Sequence, residues 1–261
     1  MTIRTVAKSV ALATLIAGPS TALAQAVVAG PVGPSPYNVV RAWHKPFQQP
    51  GYAFGGNSGV FAESPDRIFI AMRGEYRLPN PVPADFSQHA GTIGVNVLNA
   101  VDGRVWRNCL YTLDRDGKVK ELWTQWDHLC EGSPGPGPHR IRISPYDPER
   151  HVWVMDLGHQ ILKFTNDGKK LVMRLGEKDK PGWDANHFNM PSSLTFLPDG
   201  SFLVADGYVN GRIAKFDKTG KNVSEFGAKG SGPGQFDLVH SVAVDKQGRV
   251  YPPRPKRLAP D

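Results

Sequence analysis

Apolar and polar residues alternate along this chain in short runs of roughly four to six residues, the length and period of β-strands, and no 3.6-residue stripe marks an amphipathic helix. The runs HVWVMD at 151–156 and SFLVAD at 201–206 share their pattern and their terminal aspartate, and GRVY at 248–251 repeats their opening. A second register agrees, because ILKFTNDG at 161–168 aligns with IAKFDKTG at 213–220. Both separations are about 50 residues, a period that belongs to propeller blades. Asp-Gly, Thr-Gly and Gln-Gly pairs close the runs as hairpin turns, so each unit predicts a four-stranded antiparallel blade. The expected fold class is therefore all-β, a β-propeller. Upstream, DRIFIAM at 66–72 and VWRNCLYTLD at 105–114 predict strands of more divergent blades, with a turn at Asp116-Gly117. The polar, proline-rich stretch 78–91 predicts a long loop.

The amino terminus departs from this pattern. Arg4 and Lys8 precede an apolar run at 9–18, and small residues at Ala22 and Ala24 mark a cleavage point, so residues 1–24 read as a signal peptide. Pro19 interrupts the run before it could span a bilayer, and no later segment is long and apolar enough to do so. The expected organisation is a leader at 1–24, a propeller at 25–251 and a proline-rich tail at 252–261. The expected localisation is secreted or periplasmic, with no membrane association after cleavage. In an oxidising compartment Cys109 and Cys130 are expected to form a single bridge, with two buried thiols as the alternative, since spacing alone does not place their Cα atoms within bonding distance. The formal charge of +7 reflects lysines and arginines scattered among acids, with no basic stripe, and nucleic acid is not an expected partner.

The sequences VADGYVNGRIAKFD at 204–217, EFGAKGSGPGQF at 225–236 and HSVAVD at 240–245 resemble an NHL repeat. More narrowly, DGYVNGRI at 206–213 and the His-Ser after GQF resemble the peptidyl-α-hydroxyglycine α-amidating lyase family. The likeness extends over about residues 50 to 251 and is strongest after His139. It implies a six-bladed ring with a zinc ion held by three histidines from different blades, calcium as a further structural ion, and a peptide or small-molecule substrate in the central channel. PHRIRI at 138–143 resembles the first ligand phrase and LVHSVAV at 238–244 the second, which places the zinc ligands at His139 and His240, with Val239 where the family has proline. The catalytic tyrosine falls on Tyr208. The first catalytic arginine falls on Arg73 in MRGE at 72–75, where the family's Arg-Gly-Asp-His wording has drifted. The implied reaction cleaves a C-terminal α-hydroxyglycine to a peptide amide and glyoxylate. Tyr208 would act as base beside a cation that favours its phenolate, and Arg73 would supply that charge or clamp a carboxylate.

After Tyr251 the repeat gives way to PPRPKRLAPD, in which two prolines cannot donate to a ladder. About four to five blades can be counted, and the family's third histidine and second arginine would fall in the absent part. That pattern implies a truncated homologue with impaired zinc binding, unless His151, His159 or His187 supplies the third ligand. Two other functions fit the same fold: a non-enzymatic NHL propeller that binds a protein or peptide on one face, and a calcium-dependent hydrolase of the gluconolactonase kind. Other residues read as architecture. Asp156 and Asp206 are expected to fix turns, Arg212 to pair across blades, and Trp106, Trp123, Trp126 and Trp153 to fill the blade core. His44, His89, His128 and, short of that ligand role, His151 and His159 read as surface or packing residues.

Overall fold

The computed structural model describes residue 40 and residues 43–78, 80–81, 104–131 and 137–252. The expected leader, most of the 78–91 loop and nearly all of the tail lie outside the described residues. Contacts divide the chain into Met1–Arg41 and Ala42–Asp261, and every element below belongs to the second unit.

The unit is an antiparallel β-propeller of four-stranded blades with almost no helix. The first full blade orders β2 (Asn57–Ser64), β3 (Arg67–Met72), β6 (Leu110–Leu113) and β7 (Val119–Leu122). The second orders β8 (Pro138–Ile143), β9 (Val152–Asp156), β10 (Gln160–Phe164) and β11 (Leu171–Gly176), and the third β12 (Ser193–Phe196), β13 (Phe202–Asp206), β14 (Arg212–Phe216) and β15 (Asn222–Phe226). Between β3 and β6 lie β4 (Glu75–Arg77) and β5 (Arg104–Val105), which pair with β1 (Tyr52–Phe54) in a separate three-stranded sheet. A last ribbon joins β16 (Ala243–Val244) to β17 (Val250–Tyr251).

One turn recurs between adjacent strands, β6 and β7, β14 and β15, and β16 and β17, because its sequence recurs. The Asp114 carboxylate accepts from the backbone N–H groups of Asp116 and Lys118, Asp217 from those of Thr219 and Lys221, and Asp245 from those of Gln247 and Arg249. Gly117, Gly220 and Gly248 take the left-handed conformation each turn needs, at φ 75°, 88° and 77°. Asp156 and Asp206 also fix backbone as expected, accepting from the N–H groups of Gly158 and Asn189. Arg212 does not pair across blades as expected: fully buried, it binds Asp206 and Glu225 of its own blade and the carbonyls of Asp184 and His187 in the loop that leads into it.

Side chains of alternate strand positions fill the gaps between blades. Phe69, Ala71, Leu110 and Trp123 of the first blade pack on Ile141, Ile143, Val154 and Leu162 of the second. Trp153, Met155 and Ile161 of the second meet Leu194, Phe202 and Val204 of the third. Each large side chain removed from water in this way contributes about 1.5–3 kcal/mol. Polar contacts brace the first pair of blades at their rim, where Glu63 accepts hydrogen bonds from Arg67 at 3.0 Å, Arg150 at 2.8 Å and Asn166 at 3.0 Å.

Two further expectations are corrected. The run 105–114 is not one strand but two elements in different sheets, β5 and β6. Asn108 turns the chain at φ 55°, and the Asp127 carboxylate captures the N–H groups of Asn108 and Cys109 that a continuous strand would have given to a ladder. Cys109 and Cys130 are both buried and are free thiols, not a bridge. They meet where β6 begins and the 3-10 helix Thr124–Leu129 ends, and the two side chains share a hydrogen bond that raises the Cys130 thiol pKa well above its usual value.

Candidate functional site

In each blade the second strand runs antiparallel to the innermost one, so the start of the inner strand and the end of the second lie at the same end of the blade. His139 is at the start of β8, and His240 lies three residues before β16. Arg73 directly follows β3, and Tyr208 lies two residues beyond β13. Four residues that are far apart in sequence thereby reach one place.

The Tyr208 hydroxyl stands 2.8 Å from His240 Nε2 and 3.4 Å from His139 Nε2. The two imidazole centroids are 5.2 Å apart and nearly perpendicular. On the far side of His139, the Arg73 guanidinium reaches Nδ1 at 3.2 Å. A guanidinium has no acceptor, so Nδ1 accepts and the proton of the neutral ring sits on Nε2, facing Tyr208. The Tyr208 hydroxyl is then free to donate to His240, and the four side chains form one directed chain of hydrogen bonds from Arg73 to His240.

The site is positive, and among the described residues its cations Arg73 and Arg140 have no carboxylate partner. His139, only 7% exposed, has its pKa pushed down to about 4, first by burial and then by the charges of Arg73, His240 and Arg140. Burial, followed by Arg140, also lowers His240. The Tyr208 phenol is shifted up by burial, against the opposing pull of Arg73 and Arg140. Both imidazoles are thus held neutral, the form in which histidine binds a metal.

Serines that the sequence reading missed position the two histidines. Ser58 on β2 donates its hydroxyl to the carbonyl of Pro138, one residue before His139. Ser192, fully buried, donates to the carbonyl of Val239 at 2.6 Å, one residue before His240. The signal that could have found them is their shared place beside an inner strand, one blade ahead of each histidine.

The candidate third ligands are occupied elsewhere. His151 bonds Asp147 at 2.7 Å, His187 bonds Asp184 at 2.8 Å, and His159 accepts from the Met190 N–H at 3.1 Å. Among the described residues no group of three or more His, Cys, Asp or Glu side chains is placed to hold a metal ion. The imidazoles of His139 and His240, whose Nε2 atoms lie beside the Tyr208 hydroxyl, are the donors a zinc ion would find here, two of the three a catalytic zinc takes from protein. Coordination through His139 Nε2 requires its proton to move to Nδ1, and so requires Arg73 to release that atom.

An NHL repeat model matches residues 188–216, which span most of the third blade. Part of the chain is 38% identical over 114 residues to rat peptidylglycine alpha-amidating monooxygenase, covering 41% of this chain and 11% of that protein. A probable peptidyl-alpha-hydroxyglycine alpha-amidating lyase of Caenorhabditis elegans is 38% identical over 110 residues, covering 41% of this chain and 31% of that one. Human NHL repeat-containing protein 3 is 32% identical over 123 residues, covering 44% and 35%. The matches therefore span about a third or less of these relatives' own lengths. Likeness to the solved structure of the designed Ika4 protein is weak, with a TM-score of 0.38 at 10% identity over 77% of this chain and 92% of that one.

Proposed function

We propose that this chain is a lyase of the peptidyl-α-hydroxyglycine type, which releases a peptide amide and glyoxylate. The observation that carries the reading is the convergence of Arg73, His139, Tyr208 and His240 on one hydroxyl-centred cluster, in a chain similar to proteins named for that activity. The reaction is balanced without a co-reactant: the substrate hydroxyl loses its proton, its C–O bond becomes a carbonyl, the C–N bond breaks, and the amide nitrogen gains a proton.

Tyr208 is the group that takes the hydroxyl proton and returns it to nitrogen, since its oxygen is the point on which both histidines converge. Burial disfavours the phenolate this role needs, and Arg73 and Arg140 oppose that penalty. His139 and His240 would hold zinc, which when bound supplies further positive charge to favour the phenolate and the developing oxyanion. Arg73, released from His139, has a planar pair of donors for the substrate carboxylate. Its Nε atom, buried and without a hydrogen-bond partner, is a donor that such a carboxylate would satisfy.

The test is glyoxylate release from an N-acyl-α-hydroxyglycine by the purified chain with zinc added. Release that falls about 100-fold or more in Tyr208→Phe supports the assignment. No release above the uncatalysed rate, with zinc present, overturns it.

A further inference from the structure

Of the buried and half-buried arginines, Arg67 pairs with Glu63 and Glu121, Arg107 with Glu75, and Arg212 with Asp206 and Glu225, while Arg104 donates to the Tyr76 hydroxyl and lies over the Trp106 ring, and Arg142 donates to the Ile141 carbonyl. Arg73 reaches His139, and among the described residues neither Arg73 nor Arg140 has an acidic partner. Leaving such cations unpaired out of water costs free energy unless an anion arrives. Arg73 and its part in the site follow from its motif, but Arg140 has no such explanation.

Its position follows from the backbone. On β8, Ile141 and Ile143 enter the core between the first two blades, so Arg140 belongs to the opposite face of the strand. A regular strand would turn His139 away from Arg140. Here Pro138 pairs with Asp156 and Arg140 with Met155, its immediate neighbour, which leaves His139 as the extra residue of a bulge. Bulges re-aim side chains, and this one lets consecutive residues serve one site. The charge of Arg140 is felt at His139, Tyr208 and His240 alike.

We propose that Arg140 is a second carboxylate clamp, which with Arg73 holds the substrate's terminal carboxylate against the His139–Tyr208–His240 cluster and selects ligands ending in a free acid over those ending in an amide. The identity of that carboxylate rests on the lyase reading; the affinity for it does not.

The experiment measures binding of N-benzoylglycine and N-benzoylglycinamide to the whole chain by calorimetry, together with glyoxylate release. The parent chain should prefer the acid by about tenfold or more. In Arg140→Gln affinity for the acid should fall by about tenfold with the amide unchanged, and Arg140→Lys should recover part of it. An unaltered preference in Arg140→Gln, equal loss of both ligands, or no preference in the parent overturns the clamp. Loss of the preference in Arg140→Gln from a parent that releases no glyoxylate removes the lyase reading and leaves the clamp standing. Release with an unaltered preference does the reverse.

Discussion

Ser192 donates its hydroxyl to the carbonyl of Val239 across 2.6 Å, and the next residue is His240. The contact repeats between Ser58 and Pro138 ahead of His139. In both places a serine at the start of one blade sets the height of the backbone entering another, and with it the reach of a histidine. Ser192→Ala leaves a buried carbonyl short of a partner, at a cost of about 1–3 kcal/mol. Thermal unfolding should move down by roughly 2–4 °C for each kcal/mol lost. Glyoxylate release should fall further than stability alone explains, because Tyr208 and His240 would no longer be held in register. A variant with full activity and a lowered melting temperature would reduce Ser192 to a packing residue.

The blades were legible in the sequence, as were the phrases that carry three of the four residues the structure brings together, because each is local. DGYVNGRI, PHRIRI and LVHSVAV carry their own turns and strand starts, and the antiparallel blade does the rest by returning the second strand to the same rim. What failed was non-local. The break at Trp106 to Cys109 is imposed by the Asp127 carboxylate, 19 residues beyond Asn108. The Ser58 and Ser192 contacts join positions 80 and 47 residues apart. Arg140 reads in sequence as the polar position of an alternating strand, and nothing local shows that a bulge makes His139, its neighbour, the extra residue of the ladder.

Arg73 and zinc should compete for His139. A guanidinium at Nδ1 holds the ring proton on Nε2, and its charge repels a cation nearby. Arg73→Met removes both obstacles. Zinc affinity, read by competition with a chelator of known strength, should therefore rise by about tenfold in Arg73→Met even as glyoxylate release is lost, while His139→Ala abolishes binding. Equal or weaker zinc binding in Arg73→Met would show that the arginine does not oppose the metal.

Glu63 should stabilise the first pair of blades in a pH-dependent way. Burial alone would raise its pKa, but the hydrogen bonds from Arg150, Asn166 and Arg67 outweigh that and hold it below the ordinary carboxylate value of 4.5. A carboxyl group with a depressed folded-state pKa contributes stability that is present above the unfolded value and lost as pH falls through the folded one. Glu63→Gln should thus melt below the parent chain at pH 7, and the gap should close as both are acidified below about pH 4. A gap that stays constant over that range would mean that packing, and not the charge, is what the substitution removes.

Gly207 lies where the segments that carry Tyr208 and His240 meet, and no side chain fits there. A Cβ at this position would lie 1.8 Å from the carbonyl oxygen of Val239 and 2.7 Å from its Cα. Gly207 precedes Tyr208, Val239 precedes His240, and the Val239 N–H donates to the Gly207 carbonyl at 3.2 Å. Gly207→Ala must therefore push apart the segments that bring the Tyr208 hydroxyl to 2.8 Å from His240. Overpacking of this kind costs about 1–3 kcal/mol, and the opened hydrogen bond should appear as a changed nitrogen shift of the His240 ring in NMR spectra of the folded variant. Adding Val239→Ala should not rescue it, since the obstruction is main chain. Rescue by that second substitution would place the clash in the valine side chain and refute the main-chain contact.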